Sequence, residues 1–282
     1  MQIKNGCDIL SKVYFTGDSY KTEGNKRNIF DKLFLNTRWY FVYGYIKEII
    51  KARNIAVKGK YDNEKWAASS YNIIQDIEKS GGRIFIEGME NINRVDGPVV
   101  FVSNHMSNLE TFLFPCIISP IKEITYVVKE SLVSLPIFGS VMRSRNPIVV
   151  SRKNSRQDLI NVINQGKEII AKGTSIVLFP EGTRRAEFIP EKFNSLGIKL
   201  AKEAGVPVIP IAIKTDFWDV GKVIKDIGPV RRKEPVCISI GEPITVSGNG
   251  KAEQKQVVEF IGKKASEFKE LKYSAEFVGY NT

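Results

Sequence analysis

Metal-binding side chains are almost missing from this sequence. Its 282 residues contain one histidine, His105, and three cysteines. Cys7, Cys116 and Cys237 stand far apart, without the paired spacing of a zinc site, so no metal is expected. An odd, scattered cysteine count suits reduced thiols that simply pack. A long apolar run is missing too: nothing approaches the ~18 residues of a membrane-spanning helix. Lys4, Asp8 and Lys12 interrupt the start of the chain, so no secretory signal peptide is expected. Internal repeats and low-complexity segments are absent. Acidic residues are outnumbered, 31 Asp and Glu against 42 Lys and Arg, a formal net charge of +11. That balance favours anionic partners: phospholipid headgroups, phosphorylated substrates or nucleic acid. No recognised nucleic-acid-binding module or groove-reading helix accompanies the charge, so nucleic acid is not an expected partner.

What the chain does have is 43% hydrophobic residues, ample for one sizeable core plus an extension. Residues 29–50 crowd Ile29, Phe30, Leu33, Trp39, Phe41, Tyr43, Ile46 and Ile50 among Lys32, Arg38 and Lys47. This pattern reads as a basic, aromatic-rich amphipathic helix, placed either at an anionic bilayer surface or against the rest of the protein. A second helix is expected over 62–80, with Asp62 as N-cap and Gly81-Gly82 as its stop. Strand and helix patterns then alternate. Strands are expected near 83–88, 99–103, 124–128, 148–150, 175–179, 208–213 and 236–240, and helices near 108–118, 155–171, 196–204 and 252–270. The expected fold is α/β: a mixed, mostly parallel sheet flanked by helices on both faces, with an N-terminal helical extension. In this reading residues 1–82 form a helical segment that suits a membrane interface, and 83–282 the α/β domain. Arg231-Arg232-Lys233, bracketed by Pro229 and Pro235, reads as a solvated loop.

The single histidine follows the apolar run Pro98–Val102 and precedes a helix, a position where α/β sheets often carry reactive groups. Glu110 lies five residues on. If His105 precedes the helix and Glu110 occupies its first turn, the carboxylate can hold one ring nitrogen. The competing reading is a capping box, Ser107-x-x-Glu110, with no chemistry attached. A second strand end carries Phe179-Pro180-Glu181-Gly182-Thr183-Arg184-Arg185. Gly182 permits positive φ or close backbone approach by a ligand. Thr183 and its neighbouring amides can donate to an anion, and Arg184 can grip a phosphate through its planar fork. A solvated loop with a Glu181–Arg pair fits that stretch equally well.

Taken together, Asn104-His105-x4-Glu110 and Phe179-Pro180-Glu181-Gly182-Thr183-Arg184 resemble the glycerophospholipid acyltransferase family, whose best-known members acylate lysophosphatidic acid. Two further blocks resemble it in order: Lys129–Leu132 through Ile148-Val149-Val150-Ser151-Arg152, and the Pro-bracketed Val206–Ile211. The resemblance covers roughly 83–213. It departs at Glu110, where the family usually has Asp, and at Asn194, where many relatives have Lys.

The resemblance implies that His105 accepts the proton of an acceptor hydroxyl as that hydroxyl attacks a thioester carbonyl. Glu110 would hold the other ring N–H and balance the imidazolium. Glu181, Gly182, Thr183 and Arg184 would position the acceptor's glycerol-phosphate, with Arg152 as a second cation. No cofactor is implied beyond the co-substrate, acyl-CoA or acyl-carrier protein. The expected partners are that donor, a lysophospholipid acceptor and an anionic membrane surface, with the chain peripheral on its cytoplasmic side. Two alternatives remain: an acyltransferase acting on another lipid or lipid-linked acceptor, and a catalytically silent membrane-binding protein on the same fold.

Overall fold

The computed structural model describes residues 13–221 and 227–271; Cys7 and the charges at Lys4, Asp8 and Lys12 lie outside them. The chain opens with β1 (Tyr20–Lys21), α1 (Ile29–Leu33), α2 (Trp39–Ala56), α3 (Asn63–Lys79) and β2 (Ile84–Glu87). Then come β3 (Val100–Ser103), α4 (Leu109–Ile118), β4 (Ile124–Lys129), α5 (Glu130–Val133), α6 (Phe138–Arg143) and β5 (Ile148–Val150). It closes with α7 (Ser155–Ala171), β6 (Ser175–Leu178), α8 (Leu196–Ala204), β7 (Val208–Lys214), β8 (Val236–Ile240) and α9 (Lys251–Leu271).

The strands form one sheet in the order β1-β2-β8-β7-β3-β6-β4-β5. β1 with β2 and β7 with β8 are antiparallel; the other pairs are parallel. The central strands are covered on both sides, which is why their sequences are continuous β-branched runs and not alternating ones. Along β3 the side chains still sort by parity. Phe101 joins a core with Ile73, Leu109 and Phe217 on the α2–α4 side, while Val100 and Val102 join Val162, Leu200 and Val257 on the α7–α9 side. Asp62 caps α3 as expected, its side chain accepting from the N–H of Lys65.

One expectation for the first third is corrected, and the two placements left open for it are divided. The segment 29–50 is not one helix: Leu35 and Asn36 sit at φ 54° and 57°, left-handed positions that break α1 from α2. Nor do its aromatics share one environment. Phe41 is fully buried, packed edge-on against Phe217 and Trp218, whereas Trp39, Tyr43, Ile46 and Ile50 are exposed. Their spacing of four, three and four residues makes them one stripe of α2, with Lys47 and Lys51 exposed beside it. No helix among the described residues is long and apolar enough to cross a membrane.

The loop at 231–233 is also more than solvated. Arg232 donates to both oxygens of the fully buried Asp31, at 2.6 and 3.2 Å, and to the carbonyls of Ser80, Asn36 and Thr37. Arg27 pairs with the same carboxylate at 2.6 Å. A charge buried at Asp31 is tolerable only because it is paired on two sides. These bonds fasten the α1–α2 connection to the β7–β8 loop, so the N-terminal helices share a core with the sheet.

Candidate active site

Parallel neighbours leave a sheet at the same edge, and this brings together sequence blocks that lie 75 or so residues apart. β3 pairs with β6 and with β7, placing Val102 beside both Leu178 and Pro210. The chain therefore emerges beyond β3 as Asn104-His105, beyond β6 as Phe179–Arg185, and beyond β7 as Thr215, all on one rim. β5, paired through β4, delivers Arg152 to the same edge.

His105 is held at four points. Its backbone N–H donates to Glu181 Oε2 at 3.0 Å, and its carbonyl accepts the N–H of Arg185 at 2.8 Å. Its ring stacks on Phe179, centroids 4.4 Å apart, and its Nδ1 lies 2.7 Å from Glu110 Oε1. A carboxylate only accepts, so in the neutral ring Nδ1 carries the proton and Nε2 is left as the acceptor. Asn104 supports the turn from beneath: its amide donates to the carbonyl of Ile213 and accepts that residue's N–H, extending the β3–β7 pairing through a side chain.

α4 begins at Leu109, so Glu110 does occupy the first turn, one residue into the helix. Glu110 makes the contact expected with His105 and also half of the expected capping box; the N-cap is Asn108, and the Ser107 hydroxyl accepts the N–H of Leu109 and not that of Glu110. Glu110 Oε1 accepts the N–H groups of Met106 and Ser107, the capping role, while also meeting His105. Its Oε2 accepts the hydroxyl of Thr215 at 2.8 Å and lies 3.0 Å from that of Ser107. Burial is complete and pushes this carboxyl up, but the bond and charge of His105, with the further donors, outweigh it and hold the group below the usual range.

Glu181 sits mostly behind His105. It is buried, bonds the His105 N–H through one oxygen, and burial raises its carboxyl above the usual range against the pull of that bond and of Arg185. It therefore braces the histidine loop. Gly182 has φ +65°, the left-handed turn anticipated for it, and Thr183 beyond it is exposed. Arg184 is half-buried, its Nη1 bonded at 2.9 Å to the side chain of Asn108, the residue before α4. Arg152 is left-handed at φ 59°, a conformation fixed by its N–H donating to Asp158 Oδ2 at 2.7 Å. Asn194 bonds the carbonyl of Pro180 and accepts the N–H of Leu196, tying the Glu181 turn to α8.

His105, Arg152, Glu181, Gly182 and Thr183 all border one cavity of about 700 Å³, within the range of small-molecule sites. Its walls are largely apolar, with Phe112, Tyr126, Val128, Phe138 and Met142 among them, and α2 contributes Ile49 and Ala52. The other two residues singled out from the sequence do not border this cavity: Glu110 is fully buried behind His105's Nδ1 contact, and Arg184 is bonded to Asn108. Thr215 and Asn104 were not foreseen as supports; the only available sign was a polar residue ending a wholly apolar strand. No group of three or more His, Cys, Asp or Glu able to hold a metal occurs among the described residues. Cys116 and Cys237 are buried, and burial pushes both thiols up to about 12, as suits packing residues.

Residues 83–214 match the family model described as Acyltransferase. Over 172 residues the chain is 32% identical to the 1-acyl-sn-glycerol-3-phosphate acyltransferase of Pseudomonas aeruginosa, covering 61% of this chain and 63% of that one. It is 31% identical over 131 residues to a chloroplastic protein of the same description from Arabidopsis thaliana, 46% of this chain and 36% of the relative. The chain thus spans under two thirds of the length of each. The crystal structure of the 1-acyl-sn-glycerophosphate acyltransferase from Thermotoga maritima has the same fold, with TM-score 0.60, 22% identity, and 86% of this chain and 97% of that one covered.

Proposed function

We propose that this chain, whose residues 83–214 match the Acyltransferase family model, moves a fatty acyl group from a thioester to the hydroxyl of a lysophospholipid, with 1-acyl-sn-glycerol-3-phosphate the leading acceptor. The observation that carries this reading is the 2.7 Å contact between His105 and a fully buried carboxylate, with His105 on the rim of an apolar cavity. Nε2 takes the proton of the acceptor hydroxyl as its oxygen attacks the thioester carbonyl. Glu110 balances the imidazolium, which then returns the proton to the departing thiolate. The acceptor is itself the nucleophile, so no serine or cysteine is consumed. The activity for which the relatives are named supports the acceptor, and coenzyme A or acyl-carrier protein supplies the acyl group. The test is turnover of an acyl thioester in a mixed lysolipid pool, with products read by mass spectrometry. Diacylated glycerol phosphate is the expected main product; anionic liposome binding with no product would identify a silent membrane binder.

Arg184 is assigned to the acceptor's phosphate, because its fork of donors matches two oxygens and a lysine ammonium does not. Arg184→Lys is expected to raise KM for a phosphorylated acceptor about tenfold, the order of one charge-assisted bond. Slow hydrolysis of the thioester by water should change little. An equal fall in both reactions would move Arg184 to the donor or to the fold.

The exposed stripe Trp39, Tyr43, Ile46 and Ile50, together with Phe30 and Leu33 of α1 and Phe34 just after it, suits a bilayer interface flanked by lysines. The stripe supports a peripheral position at an anionic membrane surface, and we propose the cytoplasmic side, where anionic lipids concentrate. Replacing Trp39, Tyr43 and Ile46 together with serine should weaken sedimentation with anionic liposomes several-fold. The melting temperature should be unchanged, since these side chains face outward and Phe41, which faces in, is left alone. A large fall in melting temperature would return the stripe to the core.

A further inference from the structure

We infer that Thr215 is a positioning residue for the reaction, setting the carboxylate of Glu110 so that His105 is held in its working tautomer; this rests on the acyl-transfer reading above. Thr215 follows β7 and is fully buried. Its hydroxyl donates to Glu110 Oε2 at 2.8 Å and stands 3.0 Å from the hydroxyl of Ser107. The other donors to Glu110 all come from residues 105–107, the local turn that a helix cap would build anyway. Thr215 alone reaches this carboxylate from another element, 105 positions away in sequence.

The reason for an added anchor lies in the side chain it holds. Glutamate has one more rotatable bond than aspartate, so its carboxylate sweeps a wider arc and loses more rotamer freedom when fixed. An oxygen held only by the cap could rotate, exchanging the atom facing His105. With Thr215 on Oε2, that oxygen is committed to the β7 side and Oε1 is committed to the imidazole. The arrangement also explains the bracing of the same two strands by Asn104 and Ile213, whose paired bonds of 2.9 and 3.0 Å keep Thr215 at a fixed distance from the histidine turn.

The test uses the whole chain carrying Thr215→Val, which keeps the shape and deletes the hydroxyl, and Thr215→Ser, which restores it. Acyl transfer in Thr215→Val should show kcat lowered about tenfold, the order expected from one hydrogen bond to a charged group, with KM for acceptor and donor unchanged. Thr215→Ser should recover most of the loss. A second readout does not depend on turnover: His105 is the only histidine, so its imidazole ¹⁵N signals are unambiguous. They should report the Nδ1–H tautomer in the native protein and in Thr215→Ser, and a mixture in Thr215→Val. Native kcat together with an unmixed tautomer in Thr215→Val would overturn the inference. So would a loss of melting temperature in Thr215→Val that is matched by no change in either readout. If the native protein turns over no lysolipid, the acyl-transfer reading fails by itself, and the tautomer measurement still decides whether Thr215 sets the pair.

Discussion

His105→Ala is expected to abolish nearly all transfer while leaving the fold in place. The loss expected is ~10²–10⁴-fold, the usual worth of a positioned general base, and no second histidine exists to substitute. The fold should survive because what ties this residue into the structure is mostly backbone: its N–H to Glu181 and its carbonyl to Arg185 persist in alanine. Glu110 also retains the donors from Met106, Ser107 and Thr215. Steady-state turnover alongside circular dichroism checks both halves. Activity near native in a folded variant would falsify the mechanism.

Glu110→Gln should be the next most damaging change, lowering turnover about 10²-fold while sparing binding. The amide can still meet His105, but it cannot balance the imidazolium that forms during proton transfer. This variant also separates chemistry from architecture through pH. The carboxyl of Glu110 is held below its ordinary value of 4.5 in the folded protein. A group depressed in this way stabilises the fold fully above its unfolded pKa, and that stabilisation drains away as pH falls through the folded value. Between pH 4.5 and the acid limit, the native protein should therefore lose melting temperature more steeply than Glu110→Gln. Parallel acid slopes would show that another carboxylate governs this window. A stability loss without a turnover loss would reduce Glu110 to a helix cap.

The parts of this protein that were legible in its sequence are those fixed by local chemistry. Strands such as Ser175–Leu178 and Val208–Lys214 announce themselves because both faces are buried and β-branched residues accumulate without interruption. The His105 and Glu181 blocks stand out because their residue types have few uses at a strand end. Their meeting follows from parallel topology, which an alternation of strands and helices already implies. What could not be read depends on partners far away or on backbone that leaves ordinary regions. Leu35 and Asn36 break a helix by turning left-handed, although neither is glycine. Phe41 and Tyr43 look alike in composition, yet only the packing of Phe217 and Trp218 decides which one goes inside. Arg232 reads as one of three loop cations until Asp31 is seen beneath it.

The bond between Asp31 and Arg232 also has a meaning in time. On a growing chain, Asp31 must wait for a residue 201 positions later before its charge is paired from that side. Ile84 likewise waits for its strand partner Val236, and Val100 for Val208. Closures over such separations are slow, and until they occur the apolar faces of the first helices stay uncovered. Completion of the fold is therefore expected to come late. The same residues that make the helices inseparable from the sheet in the finished protein are the ones that delay its assembly.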